Sequence, residues 1–362
     1  MATVTGTAGH DYIHRLGDGK DPPPGIGYSN VTGVTTGNDV IYGLGGADII
    51  WADDGDDLIF GGDGNDIIFQ DAGVDKMYGG PGNDSLHVSD IGDTVFEAKN
   101  EGFDTVVSWI SFSLAGQYVE ELYLAGSANL DGTGNSLDNI ITGTLGDNTL
   151  KGGAGNDVLD GRSGTDVLIG GTGDDTYLVD FSSATVVEND GQGTDQVNSS
   201  VGFDLSGQYI ERLTLTRSSD INGRGNSLDN ILVGNAGDNV LNGRRGSDVL
   251  TGGLGDDTFV FRDALRASNI DTITDFSVGA DTIQLSRTVF GALAGTGVLS
   301  LAQFAANASG TAQDADDRII YETDTGKLFY DSNGSAAGGS VQFAQLGAGL
   351  ALTNADFTVV SG

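Results

Sequence analysis

The sequence predicts an all-β chain, a solenoid of very short strands with a β-rich C-terminal cap. Two observations carry this prediction. From residue 34 the chain can be cut every nine residues, with Gly, Asp and one large apolar residue returning at fixed places. Between and after these blocks, runs rich in β-branched and aromatic residues alternate with polar turns, as short strands do.

Composition narrows what such a chain can be. Gly supplies 60 of 362 residues, only 38% of residues are apolar, and the net charge is −36. Like charges at this density oppose compaction, so the chain either stays disordered or folds around cations. The arrangement of the acids decides for the second, because they are not scattered. The charge argues against nucleic acid and anionic membrane surfaces as partners. With no Cys, neither disulfides nor thiolate metal sites are available. No apolar run approaches the ~18 residues that span a bilayer, and no membrane insertion is expected. Residues 1–6 lack a basic region followed by an apolar stretch, so no cleavable secretory signal is expected there.

The first repeat cluster, residues 34–87, reads VTTGNDVIY, GLGGADIIW, ADDGDDLIF, GGDGNDIIF, QDAGVDKMY and GGPGNDSLH. Its template is Gly-Gly-x-Gly-x-Asp-x-U-x, with U large and apolar. The glycines permit φ > 0 and a close backbone approach that can surround a cation with carbonyl oxygens. Aspartate at position six adds a short, hard carboxylate, the donor type that suits Ca²⁺. The closing triplet is a strand with one inward side chain. Position eight holds Ile41, Ile50, Ile59, Ile68, Met77 and Leu86, a regularity that a flexible Gly/Asp linker does not keep.

These blocks resemble the RTX (repeats-in-toxin) family, whose nonapeptides wind into a parallel β-roll, two to a coil. The resemblance implies that each loop stacks on the loop 18 residues later. One edge then carries Asp39, Asp57 and Asp75, and the other Asp48, Asp66 and Asp84. Ca²⁺ would lie between stacked loops, taking carboxylates from both together with backbone carbonyls, and about four ions are expected in this cluster. Mg²⁺ resists so dehydrated a cage.

A second cluster spans 134–178 and a third 225–263. Their best blocks place Asp157, Asp166, Asp175, Asp248 and Asp257 at position six. Their opening blocks place Asn139, Asn148, Asn230 and Asn239 there instead. A neutral amide is the poorer ligand, so a full paired site is expected only at Asp157 with Asp175. Both clusters belong to a longer duplication, since residues 116–143 return as 207–234. Intervening β-coils are expected over 88–133 and 179–224, with strand-like runs at 105–114 and 119–124. The expected picture is one elongated, quasi-one-dimensional solenoid.

Residues 264–362 change pattern. Strands are expected at 270–276, 280–285, 318–321 and 327–331. The region resembles the C-terminal part of serralysin-type RTX proteins, which caps the roll and carries an uncleaved signal for type I secretion. The ending Asp356-Phe357-Thr358-Val359-Val360 fits that resemblance. The strand pattern itself supports only the cap, which an open sheet end needs in any case.

At the N-terminus, residues 1–33 read as a degenerate repeat followed by an insertion. His10-Asp11-Tyr12-Ile13-His14 spaces two histidines like a zinc-protease helix. Yet the stretch fits the repeat as GTAGHDYIH, with Asp11 at position six, and two glycines make it a poor helix. Residues 15–33, with Pro22-Pro23-Pro24, read as an exposed loop.

No catalytic residue is assigned. There is no Gly-x-Ser-x-Gly elbow, and carboxylate pairs are too abundant to signal glycosidase chemistry. The expected function is a secreted, non-enzymatic Ca²⁺-binding protein that folds on meeting calcium outside the cell and acts in cell-surface or matrix contacts. An RTX-associated polysaccharide-modifying enzyme, or its non-catalytic module, is the alternative. A membrane-active toxin is disfavoured for want of an apolar helix. Position nine of the first cluster is aromatic, so Tyr42, Phe60 and Tyr78 should line one outer face and Trp51 and Phe69 the other. Such faces suit coverage by another part of the chain, self-association, or a protein or glycan partner.

Overall fold

The computed structural model describes residues 1–20 and 27–361, which form two compact units, Met1–Val187 and Glu188–Gly362. Pro22-Pro23-Pro24 lie outside the described residues. Both units are parallel β-solenoids, and among the described residues the only helical elements are the 3₁₀ turns Leu301–Gln303 and Asn354–Asp356.

In the first unit each nonapeptide ends in a strand, and successive strands alternate between two sheets. Val40–Gly45, Leu58–Asp63, Lys76–Tyr78 and Thr94–Phe96 stack in parallel on one face, with Ile41 opposite Ile59 and Ile59 opposite Met77. Ile49–Trp51, Ile67–Phe69, Ser85–Val88 and Thr105–Ser108 stack on the other. Two nonapeptides therefore make one coil, as the resemblance implied. The strands are short because only position eight faces inward. Ile41, Ile50, Ile59, Ile68, Met77 and Leu86 are all fully buried, each contributing roughly 1.5–3 kcal/mol.

The N-terminal block joins this stack. Thr3–Thr5 pairs with Val40–Gly45, and Asp11–His14 pairs with Ile49–Trp51, a degenerate coil with Ile13 in the core. The insertion departs from the expected exposed loop, because Ser29–Thr32 returns as a strand beside Asp11–His14. The run expected over 105–114 also breaks, into Thr105–Ser108 and Phe112–Ser113. Ser108 Oγ donates to the Ile110 carbonyl there, bending the chain from one face to the other.

The second unit repeats the plan and then closes it. Val249–Thr251 pairs with Asp271–Ile273, which pairs with Ser340–Gln345; Lys327–Asp331 and Ile319–Glu322 follow as antiparallel strands. On the opposite face Thr282–Ser286 pairs with Phe357–Val360. Phe290, Tyr330 and Phe343 pack edge to face inside this cap. The switch to antiparallel pairing ends the coil.

Coil stacking fixes where side chains are forbidden. A Cβ on Gly64 (φ +136°) would overlap the Gly46 carbonyl oxygen, and one on Gly82 (φ +152°) the Gly64 carbonyl. Gly116 (φ +83°) has nothing within 4 Å of such a Cβ. Gly64→Ala is therefore expected to cost on the order of 3 kcal/mol and Gly116→Ala only about 1 kcal/mol. Denaturant unfolding at saturating calcium measures both; equal losses would refute the packing constraint.

Candidate metal centre

Every position-six aspartate expected from the sequence is buried: Asp39, Asp48, Asp57, Asp66, Asp75, Asp84, Asp157, Asp166, Asp175, Asp248 and Asp257 are each no more than 2% exposed. They form vertical ladders with one repeated contact. The backbone N–H of Asp39 donates to Asp57 Oδ1 (2.7 Å), and that of Asp57 to Asp75 Oδ1 (2.7 Å). On the other edge Asp11 donates to Asp48, Asp48 to Asp66 and Asp66 to Asp84, at 2.7–2.8 Å. The later clusters repeat it, Asp157 to Asp175 (2.7 Å), Asn148 to Asp166 (2.9 Å), Asn230 to Asp248 (2.7 Å) and Asn239 to Asp257 (2.8 Å). One carboxylate oxygen is thus committed to the coil above.

The second oxygen divides the loops into two kinds. Oδ2 of Asp48, Asp57, Asp66, Asp75, Asp84, Asp157, Asp248 and Asp257 is buried and has no hydrogen-bond partner. Buried polar atoms are nearly always satisfied, so a row of orphans calls for a missing partner. Beside Asp48, Asp66 and Asp157 lies a cradle. A Cβ on Gly61 would sit 2.5 Å from Asp66 Oδ2 and 2.7 Å from the Gly79 carbonyl, and Gly152 stands likewise by Asp157 Oδ2 and the Gly170 carbonyl. A free carboxylate oxygen and a carbonyl of the next coil converge where only glycine leaves room. These are the hard oxygen donors Ca²⁺ takes.

The loops of Asp11, Asp39, Asn139, Asn148, Asn230 and Asn239 are closed. At Asp39 the Thr35 N–H and Oγ1 both donate to Oδ2 (2.7 and 2.9 Å), while Ala2 N–H takes Oδ1 (2.6 Å). Asp39, expected as a calcium ligand on its edge, is therefore a carboxylate whose two oxygens are already engaged. Asp11 is closed in the same way by Thr7. At Asn139, Asn148, Asn230 and Asn239, Oδ1 accepts from the position-two N–H, at 2.7–2.8 Å. Their amide nitrogens donate to carbonyls of the preceding coil, Val119, Leu130, Ile210 and Ile221. The amide takes up the carbonyls that a cation would otherwise collect.

Position two decides which kind forms. In open loops it is left-handed, as at Leu44 (φ 81°), Asp53 (φ 63°), Gly62, Gly80, Gly153, Arg244 (φ 71°) and Gly253, and its N–H turns away from position six. In closed loops Thr or Asn stands there with ordinary φ and its N–H turns back. Asp75 is open by another route, since the Asp71 amide turns to the Asp53 carbonyl (3.4 Å). Thr or Asn at position two marks the closed loops in the sequence, whereas the left-handed backbone of Leu44, Asp53 and Arg244 shows only in the structure.

The ladders also recruit residues outside the nine-residue frame. Asp93 extends one edge by accepting from Asp75 N–H (3.0 Å), and Asp104 the other by accepting from Asp84 N–H (2.9 Å). In the second unit Asp271 and Asp281 do the same for Asp248 and Asp257. Asp104, Asp271 and Asp281 lie 20, 23 and 24 residues after their donors, so the 18-residue register hides them. The N-terminal histidines do not form a zinc site. Asp11–His14 is a strand, and at ~3.3 Å per residue an i, i+4 pair is too far apart to share an ion. His14 is buried between Asp18 and Asn30, and His10 Nδ1 accepts from Ala47 N–H.

Burial pushes the ladder carboxyls up, and like charge on their neighbours adds to it. Asp48, Asp57, Asp75, Asp84 and Asp157 rise to about 7, and Asp66, Asp104, Asp175 and Asp257 to about 6. An unfolded Asp titrates near 4. Between these values the folded chain holds more protons than the unfolded one, so calcium-free stability falls as pH rises. It is full below about pH 4 and lost above about pH 7. A calcium-stripped sample, unfolded at pH 8, is expected to regain its β circular dichroism on acidification; stability that rises with pH would contradict this. The two kinds of loop give a second expectation. Asn148→Asp alone leaves Thr144 N–H on the side chain and adds no bound calcium, whereas Thr144→Gly with Asn148→Asp adds one ion per chain by equilibrium dialysis.

No curated protein matches the chain. Residues 34–68, 69–89, 133–168, 142–177 and 224–259 match the family model for the RTX calcium-binding nonapeptide repeat (4 copies). These segments contain the three sets of open loops, and the chain is thus a β-solenoid that carries RTX calcium-binding nonapeptide repeats in these segments.

Proposed function

We propose that this chain is an exported, non-enzymatic protein whose solenoid forms when Ca²⁺ fills the open loops outside the cell, and which then acts through its surface. The observation that carries the reading is the row of buried Oδ2 atoms without partners. Without a cation these carboxylates repel one another and bury unsatisfied oxygens, which favours the unfolded chain. With one, binding energy becomes folding energy. Calcium modules that work outside cells hold the ion at about 10⁻⁴–10⁻³ M, which separates a calcium-poor cytoplasm from a calcium-rich exterior.

Export in an unfolded state fits the C-terminal region. Phe357 is fully buried in the strand Phe357–Val360, and Asp356 accepts from Gly279 N–H (3.0 Å). A signal in this segment is accessible only before folding. Among the described residues no helix is long and apolar enough to cross a membrane. Catalysis finds little support in the placement of the acids. The carboxyls with raised titration lie in the ladders or, as Glu97, at the end of one, and the groove of about 440 Å³ beside Tyr209 is lined by Gln208, Asn226, Arg244, Arg245 and Asp263 instead.

The first roll supplies a surface for contacts. Tyr42, Phe60, Tyr78 and Phe96 stack with centroids 4.5–5.1 Å apart. Trp51, Phe69, His87 and Trp109 stack on the opposite face, with the Lys20 ammonium 4.2 Å above the Trp51 ring. Phe96 and Trp109 extend both rows beyond the repeats. The rows exist only while coils are in register, so calcium that orders the loops also orders the surface.

Circular dichroism with and without EGTA tests the reading. In EGTA at pH 7.5 the β spectrum and the near-ultraviolet signal of the stacked rings are expected to vanish together and to return with millimolar Ca²⁺. A fold that persists without calcium would sink it.

A further inference from the structure

The two ladders of the first roll end differently. On one edge the last carboxylate, Asp93, is closed, with Oδ1 accepting from Asp75 N–H and Oδ2 from Gln70 Nε2 (2.8 Å) and Asp90 N–H (2.9 Å). On the other edge Asp84, Glu97 and Asp104 bring one carboxylate oxygen each within 4.8 Å of one another. The three residues are 2%, 6% and 0% exposed. Asp84 Oδ2 and Asp104 Oδ2 have no partner.

Glu97 reaches this place by substituting for a missing loop. Inside the roll the amide of Gly62 donates to the carbonyl of Gly79 in the next coil (2.9 Å). At the roll's end the glycine-rich loop is not repeated. There the Glu97 side chain folds in, and its carboxylate accepts from Gly79 N–H (2.9 Å) and Gly80 N–H (3.4 Å). Where the internal loops offer a neutral carbonyl beside the free aspartate oxygen, this one offers a second and a third carboxylate. Three buried acids, with two orphaned oxygens and no basic group among their partners, are not a stable arrangement by themselves.

We propose that Asp84, Glu97 and Asp104 form a further Ca²⁺ site, which closes the first roll and ties it to the coil that follows. This rests on the calcium reading of the repeats and goes beyond it, because Glu97 and Asp104 lie outside every nonapeptide. Its higher ligand charge makes it the tightest site of the first unit, the first to fill as calcium rises.

Equilibrium dialysis with radioactive calcium tests it in the full chain. Glu97→Gln and Asp104→Asn keep the acceptor oxygens that hold Gly79 N–H and Asp84 N–H while removing the charge. Each is expected to lose one bound ion per chain together with the tightest phase of binding, while Asp93→Asn, at the closed end, loses none. Retention of the parent count and affinity by both variants overturns the site. A parent chain that binds no calcium overturns the repeat reading as well, so the two failures are distinct. If the variants do not fold in millimolar calcium, anomalous diffraction from parent crystals soaked in Tb³⁺ decides. A peak among the three carboxylates supports the site, and peaks at Asp57 and Asp75 without one there refute it.

Discussion

The structure depends on one contact, the backbone N–H of each position-six residue donating to the carboxylate Oδ1 of the residue one coil further on. It sets the register between coils and draws the carboxylates into buried vertical rows. It also occupies only half of each carboxylate. In the open loops the other oxygen is left without a hydrogen bond, and at Asp48, Asp66 and Asp157 it lies beside a carbonyl of the next coil in a space that a Cβ would fill, so the contact that orders the solenoid also generates its unsatisfied charge. Folding and cation binding are coupled because they use opposite oxygens of one side chain.

The closed loops show how the fold dispenses with the ion. An asparagine at position six keeps the oxygen acceptor and spends its amide on carbonyls of the preceding coil, so nothing buried is left unpaired. Each later cluster opens with two such loops before its first aspartate. A stretch satisfied by amides alone gives the calcium loops that follow a register to stack on, in the way neighbouring units stabilise one another in any solenoid.

Much of this was legible in the residues. The nine-residue period placed the inward apolar side chains of the first repeat cluster, and the resemblance placed its six aspartates on two edges with partners 18 residues apart. The aromatic rows were visible at position nine from Tyr42 to Tyr78. Where the frame shifted, the reading stopped. Asp104 continues a ladder from 20 residues away and Asp271 from 23, and Phe96 and Trp109 extend rows that the repeats do not contain. The N-terminal insertion returned as a strand, Ser29–Thr32, because an otherwise open parallel edge at Asp11–His14 was there to pair with.

By itself the sequence determined the coil, its core and the chemistry of its loops, because these are local and recur at a fixed spacing. Tertiary structure decided which carboxylates stay open, because that turns on the hand of one backbone residue and on which amide points at which oxygen. Asp39 and Asp57 occupy the same place in their blocks, yet Thr35 closes the first, while a left-handed Asp53 leaves the second open. The end of the roll was decided in the same way. Glu97 is an ordinary glutamate in the sequence, and it becomes a buried acid only because the next coil brings no glycine loop to cover Gly79.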